Sequence, residues 1–477
     1  MTRKNILTLL LLATSACSNA QLREVHILSV NDVHSAIEAM PQLAAVADSL
    51  RGLYPSLLVL SAGDNRTGNP LNDMYSPSGY PMVALMNAMG FTASAIGNHD
   101  FDMHSLPVLS GLSHFQYLCA NMTADDSAGI CFAPWKEYDV DGLRVGIIGC
   151  VETGRDGYPT THPDNLNGLT FTDAAETVKE YEWVSRCCDV TILLSHEGYK
   201  QDTLTASCCP WLDLIVGGHS HKQLKENEMK NGVLITQNVN KLRYATHTTL
   251  VVDSGHVVDK RSEYIDVRGF SRKDSTVEQM VQDFSANPYF DEEVAQATET
   301  FDDIYEVGCM VCDATLEGTG ADVSLHNCRG VRVQSLPAGK ITVRDVLTID
   351  PFGNSAYILT LTGSELLRVV RAYSRMEMLH FPHLGGLKAI VTLDNETEGK
   401  ITDISLTMED GSDLDMDRKY RVATNSYVAA ACKAYGIADM ERLNTETSEL
   451  LIRFLRKKGT VNYNGVKRIE FVEKLKN

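Results

Sequence analysis

The spacing of apolar and polar residues changes period along this chain. From Glu24 to about Val267, continuous apolar runs of strand length alternate with stretches in which apolar residues recur at helical spacing. Val25 to Val30, Leu57 to Leu60, Ala93 to Ile96, Val190 to Leu194 and Leu212 to Val216 read as buried strands. Met40 to Tyr54 and Thr172 to Arg186 read as helices. This alternation predicts an α/β domain over 22–267. From Ser271 to Asp302 the sequence turns polar and charged, with Val277, Met280, Val281 and Phe284 at helical spacing, which predicts a linker helix over 268–302. A second unit, 303–477, follows. It mixes a helix around Cys309 to Glu317, a strand at Ser355 to Thr362 and a helix at Gly363 to Met376. Two domains suit 477 residues, because a single core stops growing at about 250–300 residues.

The five strand runs share a second property: each ends in metal-ligand residue types. Val-Asn-Asp-Val-His ends at Asp32 and His34, Gly-Asp-Asn holds Asp64, and Gly-Asn-His-Asp-Phe-Asp holds Asn98, His99 and Asp102. Ser-His-Glu-Gly holds His196, and Gly-Gly-His-Ser-His holds His219 and His221. In an open α/β sheet, ligands bind at the carboxyl ends of the strands. Two divalent ions about 3.5–4 Å apart need a bridging carboxylate and further imidazole, carboxylate or amide ligands. The set Asp32, His34, Asp64, Asn98, His196, His219 and His221 supplies them. In extended backbone, residues two apart point the same way, which aims both members of Asp32-x-His34 and of His219-x-His221 at one place. Zn, Mn, Co and Fe all accept such ligands.

These five motifs resemble those of the calcineurin-like binuclear metallophosphoesterases, and in particular of the exported 5'-nucleotidase family. The resemblance implies a metallophosphoesterase β-sandwich flanked by helices, then a linker helix and a smaller α/β C-terminal domain. It implies that Asp32, His34 and His221 hold one metal, that Asn98, His196 and His219 hold the other, and that Asp64 bridges them. His99 would stabilise charge on the phosphoryl oxygens or protonate the leaving oxygen, with Asp102 orienting its ring.

The second domain matches the family unevenly. Asn327-Cys328-Arg329-Gly330-Val331-Arg332 resembles the family's Asn-Gly-Gly-Gly-Ile-Arg loop, so Asn327 and Arg332 stand at matching positions and Arg329 replaces a glycine. Phe352 in Pro-Phe-Gly-Asn and Tyr427 in Thr-Asn-Ser-Tyr match the two rings that sandwich a base. Lys433 stands where the family has an Asp for the ribose, and Phe301 to Tyr305 holds acids where a phosphate-binding Arg is expected. The resemblance therefore implies hydrolysis of phosphate monoesters, foremost nucleoside 5'-monophosphates. Alternatives are a 2',3'-cyclic nucleotide phosphodiesterase, a nucleotide-sugar hydrolase, and a surface nucleotide- or glycan-binding protein without catalysis. Retention of every motif ligand and of His99 speaks against the last.

The net charge of -19 makes a polynucleotide a poor partner, since that affinity comes from Lys and Arg, and leaves a small phosphate ester as the expected one. Arg3 and Lys4, a short apolar run from Ile6 to Ala13 and small residues after it form an export leader over 1–20. Cleavage after Ala16 would leave Cys17 for lipid attachment to a membrane, and cleavage after Ala20 would release a soluble protein. Either route places the chain in the periplasm or cell envelope. Disulfides persist in such compartments, and candidate bridges are Cys119 with Cys131 and the doublet Cys187-Cys188 with Cys208-Cys209. Cys309 and Cys312 lack a second pair for zinc and read as small buried side chains.

Overall fold

The computed structural model describes residues 22–154, 156–376, 381–394, 400–434 and 436–473. The leader and Cys17 lie outside the described residues. In the first half, β1 (Arg23–Val30), β2 (Leu58–Ser61), β3 (Ala93–Ala95) and β4 (Gln116–Leu118) run parallel. Tyr244–Asp253 and His256–Asp266 extend this sheet antiparallel on the free edge of β1. A second six-stranded sheet centres on β5 (Val190–His196) and β6 (Leu214–Gly217), parallel to each other and to Leu143–Val151 and Val233–Thr236.

The ligand-bearing strands thus divide between two stacked sheets instead of sharing one open sheet. Ile27, Leu58, Leu60 and Ala95 of the first sheet pack with Val145, Ile192, Leu194 and Val216 of the second. On β1 the alternate residues Leu28 and Val30 face the helices outside the sandwich. Both faces are covered, which is why these strands read as unbroken apolar runs.

Helix α1 (Met40–Arg51) stops at Gly52, short of the predicted Tyr54. The segment predicted as one helix over Thr172 to Arg186 forms two short ones, Ala174–Lys179 and Glu182–Cys187, separated at Tyr181 (φ -93°, ψ 10°). The predicted linker helix is also shorter than 268–302. Helix α2 (Ser275–Ser285) is capped by the Asp274 carboxylate, which accepts from the Val277 nitrogen at 2.8 Å. Its Val277 and Val281 are buried. The chain beyond it forms the strand Glu293–Ala297, which pairs with Gly339–Thr342 and Thr460–Val461 in the second half.

In that half, α3 (Ile304–Thr319) is capped by Asp303 and ends at Gly320, whose φ of 61° suits a residue without a Cβ. A five-stranded sheet holds β7 (Val323–His326), β8 (Ser355–Thr362) and β9 (Lys419–Asn425) in the spatial order β7, β9, β8, with His383–Gly385 and Met440–Glu446 at its edges. Between the halves the apolar core is continuous: Leu43 and Val277 belong to the same cluster as Val307, Met310, Val346 and Leu451. That shared core holds the two halves together around the cavity described next.

The candidate disulfides do not form. Cys119, Cys131, Cys187, Cys188, Cys208 and Cys209 are all free thiols. Cys119 is buried at the end of β4 against Asn121 Oδ1 at 3.5 Å, while Cys131 faces solvent. Each doublet likewise splits into one buried and one exposed sulfur. Cys309 and Cys312 are buried on α3, and burial pushes the Cys309 thiol up to about 12.

Candidate metal centre and substrate cavity

Asp32 and His34 follow β1, Asp64 follows β2, Asn98 follows β3, His196 ends β5, and His219 and His221 follow β6. The tips are not extended. Asp32, His34, Asp64, His219 and His221 all have left-handed backbone, with φ of 48°, 45°, 53°, 69° and 51°. The two-residue spacing therefore converges through tight turns, not through strand geometry as the sequence suggested. Side chains other than Gly visit this region at a cost, and such strain collects at functional sites. The Asp100 carboxylate ties the tips together by accepting from the nitrogens of Gly97 (2.8 Å), Asp64 (3.0 Å) and Asn65 (3.2 Å). A Cβ at Gly97 would overlap the Asp64 nitrogen and Oδ1, so only Gly permits this approach.

All seven candidate ligands converge. Asp64 Oδ2 lies 3.2 Å from His196 Nε2 and 3.8 Å from His34 Nε2. Asp32 Oδ1 lies 3.3 Å from His221 Nε2 and 4.0 Å from His196 Nε2. The Nε2 atoms of His34 and His221 are 3.1 Å apart, and His219 Nδ1 is 3.0 Å from Asn98 Oδ1. Donors bound to one ion at about 2.0–2.2 Å stand roughly 3–3.5 Å from each other, so the spacings of 3.0, 3.1, 3.2 and 3.3 Å suit ligands of a common cation.

Two nitrogens test that fit. His196 Nδ1 donates to the Ala62 carbonyl at 2.7 Å and His34 Nδ1 donates to the Thr67 carbonyl at 3.1 Å. In each neutral ring the lone pair then sits on Nε2, turned into the cluster. His196 Nε2 is buried without a hydrogen-bond partner among the described residues. A lone pair facing carboxylates calls for a positive charge between them. The protonation of the ring shows the same demand: burial opposes a charge on His196, yet Asp64 and Asp32 overcome it and push the imidazole up to about 10. Burial likewise favours a neutral Asp32, but the hydrogen bond from His221 and the charges of His196 and His221 hold it at about 2.

His99 stands beside the cluster. Its backbone nitrogen donates to Asp64 Oδ1 at 2.8 Å, and its Nδ1 donates to Asp102 Oδ2 at 2.8 Å. Asp102 also accepts from the hydroxyls of Thr67 (2.9 Å) and Thr161 (2.8 Å). Burial raises the Asp102 carboxyl, but the His99 charge and hydrogen bond outweigh it and hold the group below the usual carboxylate range. With Nδ1 committed, Nε2 is the ring nitrogen left for a substrate.

The cluster opens into a cavity of about 780 Å³ between the two halves. Asp64, Asn98, His99 and His219 line one side, and Asn327, Arg329, Arg332, Phe352 and Tyr427 line the other. Phe352 stacks on His99 with ring centroids 5.8 Å apart, and the Arg332 guanidinium lies 5.7 Å from the Phe352 ring centre. Lys433 is exposed on the helix Ser426–Ala434 and does not line the cavity. It therefore does not stand in for a ribose ligand. Several lining or supporting residues escaped the sequence reading: Thr67, Thr161, Asn240, Lys241 and Arg442. Isolated Thr, Asn, Lys and Arg residues in polar loops carry no pattern that singles them out.

Two stacked sheets with acid, amide and imidazole side chains at their strand tips define a phosphoesterase type of architecture. The family model for calcineurin-like phosphoesterases matches residues 25–223, and the model for the 5'-nucleotidase C-terminal domain matches residues 281–439. The chain belongs to the family in which these two domains follow one another. It is 24% identical to the trifunctional nucleotide phosphoesterase protein YfkN of Bacillus subtilis, over 87% of this chain but 32% of that protein. To Protein UshA of Yersinia enterocolitica it is 26% identical, over 80% of this chain and 78% of UshA. A crystal structure of a 5'-nucleotidase precursor from Thermus thermophilus shares the fold, with a TM-score of 0.82, 22% identity and coverage of 95% of this chain and 100% of that one.

Proposed function

We propose that this protein hydrolyses phosphate monoesters, foremost nucleoside 5'-monophosphates, to an alcohol and inorganic phosphate. One observation carries the reading: the carboxylate–imidazole cluster, the His99–Asp102 pair and the arginines Arg329 and Arg332 open onto one cavity. The names of the relatives, which include 5'-nucleotidases of Vibrio species, support the nucleotide. In this reading Asp32, His34 and His221 would hold one divalent ion and Asn98, His196 and His219 a second. Asp64 would be shared, since its Oδ2 reaches toward both His34 and His196. Asp32 also reaches His196, but both of its oxygens accept from the His219 nitrogen, at 3.0 and 3.1 Å.

When bound, two such ions supply Lewis-acid charge for the phosphoryl oxygens and an activated water. The protein supplies the rest. His99 places Nε2 toward the leaving oxygen and gives it a proton, while Asp102 fixes the ring and its tautomer. The guanidinium groups of Arg329 and Arg332 form no hydrogen bond or ion pair among the described residues, so their charge is available to the phosphate. Phe352 and Tyr427 flank the base. The basic and apolar leader supports export to the periplasm or cell envelope, with Cys17 as the lipid-attachment point in one of its two cleavage modes.

The test is a substrate panel with the chelated protein reloaded with Mn²⁺, Co²⁺ or Zn²⁺. Phosphate release from AMP should require metal and should vanish in Asp64→Ala and His99→Ala. Tyr427→Ala should raise KM for AMP and spare a generic aryl phosphate. No turnover of any mono- or diester would end the enzymatic reading.

A further inference from the structure

Lys241 lines the cavity from the first half of the chain, and Arg329 and Arg332 line it from the second. It is only partly exposed, and no hydrogen bond or ion pair engages its ammonium among the described residues. The acids whose charges reach it, Glu38 and Asp73, are committed elsewhere. Glu38 Oε1 accepts from Asn69 Nδ2 at 2.8 Å. Asp73 accepts from the nitrogens of Thr67, Gly68 and Asn69 at 3.2, 2.7 and 2.8 Å and from the Ser35 hydroxyl at 2.9 Å. Arg332, half-buried, lines the same cavity, and no hydrogen bond or ion pair engages its guanidinium among the described residues. Two cations without counter-ions on the lining of one partly dry cavity are costly unless an anion joins them.

The backbone of Lys241 is held as a site residue would be. Its nitrogen donates to the Asp32 carbonyl at 2.8 Å, and the Arg268 guanidinium donates to its carbonyl at 2.6 and 3.2 Å. Lys241 and Leu242 both adopt left-handed backbone, with φ of 57° and 52°. The neighbouring Asn240 amide lies 3.1 Å from His221 Nδ1. An ordinary solvated lysine needs neither the clamp nor the strain.

We propose that Lys241 is a phosphate-binding residue: with Arg332 it forms a cationic subsite that grips the phosphoryl oxygens of a phosphate monoester between the two halves of the chain. This rests on the phosphoesterase reading above. It supplies from the first half the cation that the acids of Phe301 to Tyr305 fail to supply from the second.

The experiment compares metal-loaded wild type, Lys241→Met and Lys241→Arg as full chains. KM and kcat for AMP are measured together with inhibition by inorganic phosphate, calorimetric binding of inorganic phosphate, and metal content. Loss of a hydrogen bond to a charged group predicts that Lys241→Met weakens KM and phosphate affinity in parallel by about tenfold or more, with metal content unchanged and Lys241→Arg close to wild type. Phosphate affinity within twofold of wild type in Lys241→Met would overturn the assignment. So would a loss that merely follows loss of metal, or wild type that binds no phosphate. If wild type turns over no ester, the functional reading fails, while calorimetry still decides the subsite.

Discussion

Replacing Asp102 by Asn removes a charge and almost no volume. His99 Nδ1 and Asp102 Oδ2 are 2.8 Å apart, and the two side chains are only 16% and 11% exposed, so water screens their interaction little. A hydrogen bond to a charged group contributes about 1.5–3 kcal/mol. If the carboxylate acts by steadying the His99 imidazolium as the proton moves, that energy is lost in the transition state. At 1.36 kcal/mol per factor of ten, kcat/KM for AMP should fall roughly 10- to 150-fold. The fold should persist, because the amide oxygen can still accept from His99 and Thr67 while its NH2 donates to the Thr161 hydroxyl. The assay compares AMP with p-nitrophenyl phosphate, whose leaving phenolate needs no proton. The loss should be concentrated on AMP. Equal losses on both substrates at unchanged metal content, or no loss on either, would refute a proton-transfer role for the pair.

Other consequences are as direct. Gly97→Ala should lose metal, read as ions per chain, because the new Cβ overlaps Asp64. Asp202 is fully buried, and burial raises its carboxyl from 3.8 to about 7. The folded chain then holds a proton that the unfolded chain releases, so this group stabilises the metal-free fold below pH about 4, and its contribution fades as pH rises through about 7. Asp202→Asn should flatten the fall in Tm over that window, and an unchanged slope would contradict the assignment. Arg468, nearly buried, pairs with Asp313 and Glu409 at 2.8 Å each. Arg468→Met should cost about 1–2 kcal/mol in denaturant unfolding, since charged hydrogen bonds are lost while Asp313 and Glu409 keep access to water.

The strand tips were legible because a hydrophobic run that ends in Asp, Asn or His juxtaposes two signals, burial and coordination chemistry. The fit of Asn327, Arg332, Phe352 and Tyr427 into the same cavity was legible only through resemblance, since single residues scattered over a hundred positions carry no periodicity. The local geometry was not legible. Nothing in Asp32-x-His34 distinguishes an extended pair from a left-handed turn, because Asp and His tolerate both. Lys433 misled, since helix Ser426–Ala434 turns it outward to solvent. The thiol pairs misled because strand and helix register sends one member of each pair inward and the other outward.

The left-handed tips carry a further consequence. At roughly 1–2 kcal/mol for each such residue, Asp32, His34, Asp64, His219 and His221 together hold several kcal/mol in reserve against relaxation. The Asp100 carboxylate and the bonds from the Asp32 and His34 nitrogens to the Gly63 and Asp64 carbonyls keep those turns wound. The same reserve makes these loops the first part of the fold to give way when a ligand that spans them is withdrawn. A protease should nick them sooner in chelator than in metal, while the sheets beneath stay intact.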